Sequence, residues 1–143
     1  MKGGRLMKHV VIVGVGRFGS VIAKELADKG HEVLAIDQNN ERVQKISSHV
    51  TYAVQANFTD TKSLKTLGIN EFDIGIIGIG KNLYDNLAAS YILKKFDVPY
   101  IIAKAKDQLH GELLESLGVD EIVYPEKTVG SKVAQDIYEN NKY

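Results

Sequence analysis

The sequence predicts an α/β fold: a Rossmann-like, doubly wound parallel sheet of six strands, order 3-2-1-4-5-6, with helices on both faces. Three observations carry this. Short β-branched runs alternate with stretches of helical period along the chain. Most of the runs are continuously apolar, as strands buried on both faces are. A glycine-rich loop, Gly14–Gly19, falls directly after the first run. Such alternation implies right-handed crossovers and one sheet. Ligands then lie outside the carboxyl ends of the strands, at the switch between strands 1 and 4.

The elements follow in order. The strand His9–Val13 leads into a helix opening at Arg17 and striped by Val21, Ile22, Leu26 and Ala27. Strands Glu32–Ile36 and Thr51–Gln55 come next, then a short helix marked by Leu64 and Leu67. Strand Ile74–Ile79 precedes a longer helix carrying Leu87, Ala88, Ile92 and Leu93. Strand Tyr100–Ala103 precedes a stripe of Leu109, Leu113, Leu114 and Leu117. Strand Glu121–Tyr124 precedes a last helix with Val129, Val133, Ala134 and Ile137. Gly30, Gly68 and Gly118 each stand between a helical stripe and a strand, where a glycine takes the left-handed conformation that ends a helix. Leu67-Gly68-Ile69 and Leu117-Gly118-Val119 read as two similar helix-to-strand turns.

Composition narrows the function. The 143 residues make one domain, and 44% apolar content supports a real core. Eighteen basic and eighteen acidic side chains balance to zero, which excludes the basic footprint of a nucleic-acid binder and any electrostatic pull to anionic membrane. No cysteine is present, so there is no disulfide, thiolate metal site or thiol nucleophile. The longest apolar runs are strand-sized, so no direct membrane insertion is expected. Met1–Leu6 reads as a polar leader without order, Met7 as an equally good start, and residues 8–143 as the folded domain.

The loop Gly14-Val15-Gly16-Arg17-Phe18-Gly19 is the sharpest signal. Gly14 suits a tight turn, Gly16 a close phosphate, and Gly19 close helix–strand packing. Amides and dipole at the helix start favour an anion. Asp37 closes the second strand eighteen residues after Gly19, placed to accept both hydroxyls of a ribose and to repel a 2′-phosphate. Arg17, on the first helical turn, either clamps a further phosphate or is simply solvated. On the same edge of the sheet lie Ala56 and Asn57 after strand 3, Ile79 and Gly80 after strand 4, Lys104 after strand 5 and Glu126 after strand 6.

No catalytic constellation accompanies this site. Tyr91 and Lys95 match the Tyr-x-x-x-Lys of short-chain dehydrogenases, but that family spaces its glycines differently and carries the tyrosine on a later helix. His9, His31, His49 and His110 share no metal-ligand spacing. A nucleotide site without catalytic groups points to a sensor rather than an enzyme.

The stretches Val11–Gly19, Lys29–Asp37, Leu67–Ile69, Ile77–Gly80 and Leu117–Glu126 together resemble the N-terminal domain of the RCK proteins, regulators of potassium conductance, also called Trk-type N-terminal domains. Within that family the chain is most similar to the Ktr-type subunits. The resemblance implies a cytoplasmic regulatory subunit, peripheral to the membrane through a potassium-translocating partner. It implies homodimers assembled into a ring, expected to be octameric, whose shape answers to the bound nucleotide. It also implies a smaller C-terminal domain beyond this chain. Ala56-Asn57 replaces the Gly-Asp of many Trk-type sequences, which favours ATP/ADP over NAD(H). By matching position, Gly14, Val15, Gly16, Arg17, Phe18 and Gly19 hold phosphates, and Asp37 with Gln38 and Asn39 holds the ribose and adenosine. Ala56 and Asn57 line that pocket, while Ile79, Gly80 and Lys104 lie near the phosphates. Glu126 sits at the dimer contact, where it helps bind a divalent cation. The alternatives are an NAD(H)-binding sensor of the same family and a fragment of a small NAD-dependent oxidoreductase.

Overall fold

The computed structural model describes residues 6–140, so residues 1–5 of the expected leader and the last three residues of the expected domain lie outside it. Six strands form one parallel sheet: β1 (His9–Val13), β2 (Glu32–Asp37), β3 (Tyr52–Gln55), β4 (Ile74–Ile77), β5 (Tyr100–Lys104) and β6 (Glu121–Val123). Their order is β3-β2-β1-β4-β5-β6, as expected. The helices are α1 (Arg17–Asp28), α2 (Asn40–Ser47), α3 (Thr61–Thr66), α4 (Leu83–Lys95), α5 (Gln108–Ser116) and α6 (Pro125–Asn140), with a 3-10 turn at Ile69–Glu71.

The period of two along β1 divides the core. Val11 and Val13 face a cluster with Leu64, Leu93 and Leu114 from α3, α4 and α5. Val10 and Ile12 face the other side, with Ala23 of α1 and Ile46 of α2. All four β1 side chains are at most 1% exposed, each contributing about 1.5–3 kcal/mol by leaving water. Gly30, Gly68 and Gly118 have φ of +93°, +75° and +93°, as their place after a helix predicts. Each turns the chain off the helix it follows through backbone bonds back to that helix, Gly30 and Gly118 toward a strand and Gly68 into the 3-10 turn.

Three expectations are corrected. β4 ends at Ile77, two residues early, because a Cβ at Gly78 would overlap the Gly14 carbonyl oxygen. The strand stops so that the chain can press against the glycine loop. The buried face of α5 is His110, Gly111 and Leu114, whereas Leu109 and Leu113 are 66% and 39% exposed. Gly111 on the buried face meets Tyr124, whose hydroxyl a Cβ there would overlap. Finally, α6 buries none of its residues: Val129, Val133 and Ile137 are exposed, and so is Ala134. The sheet face that would receive such a helix is open instead, an apolar cleft of about 430 Å³ including Phe18, Ile22, Ile74, Ile76, Ile102 and Val123.

Candidate functional site

The glycine loop turns sharply off β1. Gly14 has φ +94°, which an L side chain resists, and its N–H donates to the Ile36 carbonyl at 2.8 Å. A Cβ at Gly14 would lie 2.8 Å from the Ile79 nitrogen, and one at Gly19 would overlap the Gly14 carbonyl oxygen. Gly14, Gly19 and Gly78 thus form one close-packed joint. Gly16 differs: a Cβ there would meet only the tip of Arg42, 3.7 Å away. Its glycine is not required by the fold, and the backbone faces open space, as an approaching phosphate needs.

Asp37 ends β2 beneath this loop and is 1% exposed. Its Oδ2 accepts from the Val15 N–H at 2.9 Å and its Oδ1 from the Asn39 N–H at 2.8 Å. The Arg42 guanidinium stands 3.8 Å from Oδ2. The acid therefore holds the loop in shape, with lone pairs remaining for a ribose.

The β2 and β3 loops are stitched together. Gln38 accepts from the Phe58 N–H through its side chain and from the Gln55 amide through its carbonyl. The Ala56 N–H donates to the Asp37 carbonyl at 3.1 Å. The side-chain oxygens of Asn39 and Asn57 are engaged locally, Asn39 capping α2 through the Arg42 N–H and Asn57 closing a turn onto Thr59. These residues shape the rim as well as line it.

Two clefts flank the loop. A groove of about 280 Å³ between α1 and α2 is lined by Val15, Gly16, Arg17 and Ser20 with the cations Lys24, Arg42 and Lys45. A second, of about 320 Å³, lies over β4, β5 and β6 and includes Gly80, Lys104, Lys106, Asp107, Tyr124, Glu126 and Lys127. Arg17 lines the first and Lys104 the second, so the two expected phosphate cations line different clefts. The Lys104 ammonium lies 6.0 Å from the Phe18 ring centroid, and a Cβ at Gly80 would come within 2.9 Å of it. Among the described residues no three of His, Asp or Glu cluster as metal ligands. Glu126 alone does not fit a divalent cation.

Sequence reasoning missed three groups here. Arg42 had only its place in the first turn of α2 to signal it. Asn86 and His110 are buried behind the second cleft, and nothing in their spacing joins residues on different helices. Tyr91, of the Tyr-x-x-x-Lys match, is 52% exposed, in an apolar groove with Tyr84, Leu87, Leu113 and Leu117. Of these only Arg42 belongs to the glycine-loop site, where it stands beside Asp37 and lines the groove with Gly16.

Fold and site define a class: a Rossmann-type domain whose glycine loop runs from β1 into α1 and whose acid closes β2. Within that class, the chain belongs to the TrkA-N domain family, whose model matches residues 10–125. It is 42% identical over 134 residues to the Ktr system potassium uptake protein A of Bacillus subtilis, covering 94% of this chain and 60% of that protein. With the Ktr system potassium uptake protein C of the same organism it shares 35% over 136 residues, 95% of this chain and 62% of the relative. The chain thus spans about 60% of these relatives. Among solved structures, the TrkA-N domain of the inner membrane protein ybaL from Escherichia coli superposes with a TM-score of 0.80 at 19% identity, covering 91% of this chain and 96% of that one. GsuK bound to ADP superposes with a TM-score of 0.76 at 22% identity, covering 94% of this chain and 35% of that one.

Proposed function

We propose that this chain is the nucleotide-sensing domain of a potassium-transport regulator, which binds ATP or ADP and passes their difference to a membrane potassium-translocating partner through an oligomeric assembly. The observation that carries this reading is the pairing of open backbone at Gly16 with the Asp37 carboxylate one residue away through Val15. A phosphate and a ribose need these two groups side by side. The potassium uptake relatives supply the context. On this reading the protein acts without catalysis at the cytoplasmic face; no described helix is long and apolar enough to cross a membrane.

The open sheet face and the bare α6 support a homodimer. One chain has an apolar helix without a seat and an apolar seat without a helix. Two copies exchanging α6 satisfy both, and rings of such dimers, up to an octamer, follow from further contacts. A divalent cation at Glu126 needs donors from a second copy, since one chain does not supply them.

Gating through assembly is energetically sufficient. If Arg17 pairs with the terminal phosphate of ATP and loses that partner in ADP, the difference is about 1.5–3 kcal/mol per site. Moving a two-state equilibrium from 1:99 to 99:1 needs about 5.5 kcal/mol, so two to four sites acting together suffice. Calorimetry with ATP, ADP, NAD and NADH on the purified chain tests the reading, and failure of all four to bind ends it. Arg17→Ala is expected to keep ADP binding and lose most of the preference for ATP. Equal losses for both nucleotides contradict this role. The second reading, an NAD(H) sensor, is favoured by the two clefts on either side of the glycine loop, which a dinucleotide would occupy together. Tight NADH binding with no response to ATP identifies it.

A further inference from the structure

Four polar or charged side chains are buried among the described residues. Asp37 belongs to the glycine loop. The other three, Asn86, Ser90 and His110, form one hydrogen-bond network on the far side of the crevice. Its directions are fixed by what each group can do. The Lys106 backbone N–H only donates, so Nδ1 of His110, 2.9 Å away, accepts. The ring proton therefore sits on Nε2, which donates to Oδ1 of Asn86 at 2.6 Å. The Asn86 amide then donates twice, to the carbonyls of Ile79 at 2.9 Å and Lys104 at 3.1 Å. The Ser90 hydroxyl donates to the Asn86 backbone carbonyl at 2.8 Å. One amide and one neutral imidazole thus join the Ile79–Gly80 turn, the end of β5, α4 and α5.

We propose that Asn86 and His110 are positioning residues that hold Lys104 and the Ile79–Gly80 turn for the phosphate end of a bound nucleotide, and that protonation of His110 releases this wall and weakens binding. The inference rests on the nucleotide reading above. A protonated ring would turn an N–H at Nδ1 toward the Lys106 N–H, replacing a bond with two opposed donors. A buried amide left unpaired costs about 1–3 kcal/mol. The charges that reach the ring lie on the β5–α5 segment: Lys106 opposes protonation and Asp107, which accepts from the His110 backbone N–H at 2.9 Å, favours it. From α4 the ring meets the neutral amide of Asn86, and just after β6 the Tyr124 phenol lies against the adjoining Gly111.

Burial, with the aid of Lys106 and against Asp107, holds His110 below its ordinary value of 6.5. The unfolded chain therefore binds a proton near pH 6.5 that the folded chain refuses. Stability is complete above that pH and falls as the pH drops below it. Nucleotide binding follows the same sign, because the locked wall requires the neutral ring. Ligand and proton then oppose each other reciprocally.

The test measures ADP affinity of the 143-residue chain by calorimetry from about pH 8 to about pH 5.5, for the wild type and for His110→Gln, which keeps a side-chain N–H but cannot titrate. Dividing one profile by the other cancels the titration of the ADP phosphate. The variant is expected to bind ADP more weakly near pH 7.5 but to lose less affinity toward acid. The ratio should change severalfold, bounded by about tenfold per pH unit for one proton. In parallel, the His110 ring is titrated by NMR in the wild type, where saturating ADP should move its titration to lower pH. Parallel profiles, or an ADP-independent titration, overturn the inference and leave the nucleotide reading intact. A variant altered in melting temperature alone does the same, assigning the network to stability. Absence of ADP binding at every pH overturns both.

Discussion

The backbone N–H of Val15 donates to Oδ2 of Asp37 at 2.9 Å, across 22 residues of sequence. The carboxylate expected to hold a ribose is thus also the strut of the glycine loop, with the Asn39 N–H on its other oxygen. Asp37→Ala orphans both donors, so stability should fall by about 2–4 kcal/mol. Lost binding in that variant does not by itself prove a ribose contact. Comparing ADP with 2′-deoxy-ADP on the wild type does: the deoxy ligand should bind about 3–10-fold more weakly if the remaining lone pairs serve the hydroxyl. Equal affinities would assign Asp37 to the loop alone.

The loop glycines make a matched pair of substitutions. Gly19→Ala drives a Cβ into the Gly14 carbonyl oxygen, with backbone on both sides. A loss of about 3 kcal/mol or more is expected in denaturant unfolding. Gly16→Ala meets only the flexible end of Arg42 at 3.7 Å, so stability should stay within about 1 kcal/mol. Its new methyl stands where a phosphate approaches, and ADP affinity should drop at least about tenfold. A Gly16→Ala variant with wild-type affinity removes the phosphates from this loop.

Asp97 is the one non-glycine residue with positive φ, +59°, among those described. It ends α4 as Gly30, Gly68 and Gly118 end their helices, its N–H donating to the Lys94 carbonyl and the Val98 N–H to that of Leu93. Asp97→Gly should therefore stabilise the fold by about 0.5–1 kcal/mol, raising the melting temperature by about 2–4 °C. An unchanged or lower value would mean that glycine's entropy in the unfolded chain outweighs the relieved strain.

What the sequence revealed, and what it hid, follows from the range of the interactions. Strand order, the glycine loop and Asp37 were legible because each is written in a contiguous run or in one βαβ unit: HVVIV, GVGRFG, then an acid at the end of the next strand. The C′ glycines were legible for the same local reason. The rotation of α5 was not, because Leu109 and Leu113 keep helical period, yet His110, Gly111 and Leu114 take the buried face. The Asn86–His110 bond joins two helices 24 residues apart, and neither residue stands out from its neighbours. Arg17 and Lys104 were each expected near the phosphates, yet line different clefts. Position along the carboxyl edge of a sheet tells which residues surface there, not which face one another.

The α6 stripe shows where period and burial part company. Val129, Val133 and Ile137 recur at helical spacing but are 61%, 53% and 45% exposed. A solvated helix has no need of that stripe, and the cleft with Ile74, Ile76 and Ile102 offers apolar surface of its own. If a second copy supplies the missing partner, Val133→Glu places a charge in the buried seam, where it costs far more than on a wet surface. Light scattering should then show the variant as a monomer at concentrations where the wild type is dimeric. Because none of the stripe is buried in its own chain, secondary structure by circular dichroism should be unchanged in monomeric Val133→Glu. Ile76→Glu is the wrong control, since Ile76 is 3% exposed and part of the core. Val123, at the end of β6 on the receiving face, is the better complement. Val123→Lys alone should also disfavour the dimer, and mixing it with Val133→Glu should restore a heterodimer if the two positions meet across the seam. Wild-type dimers that survive both substitutions would place the interface elsewhere and leave α6 to another partner.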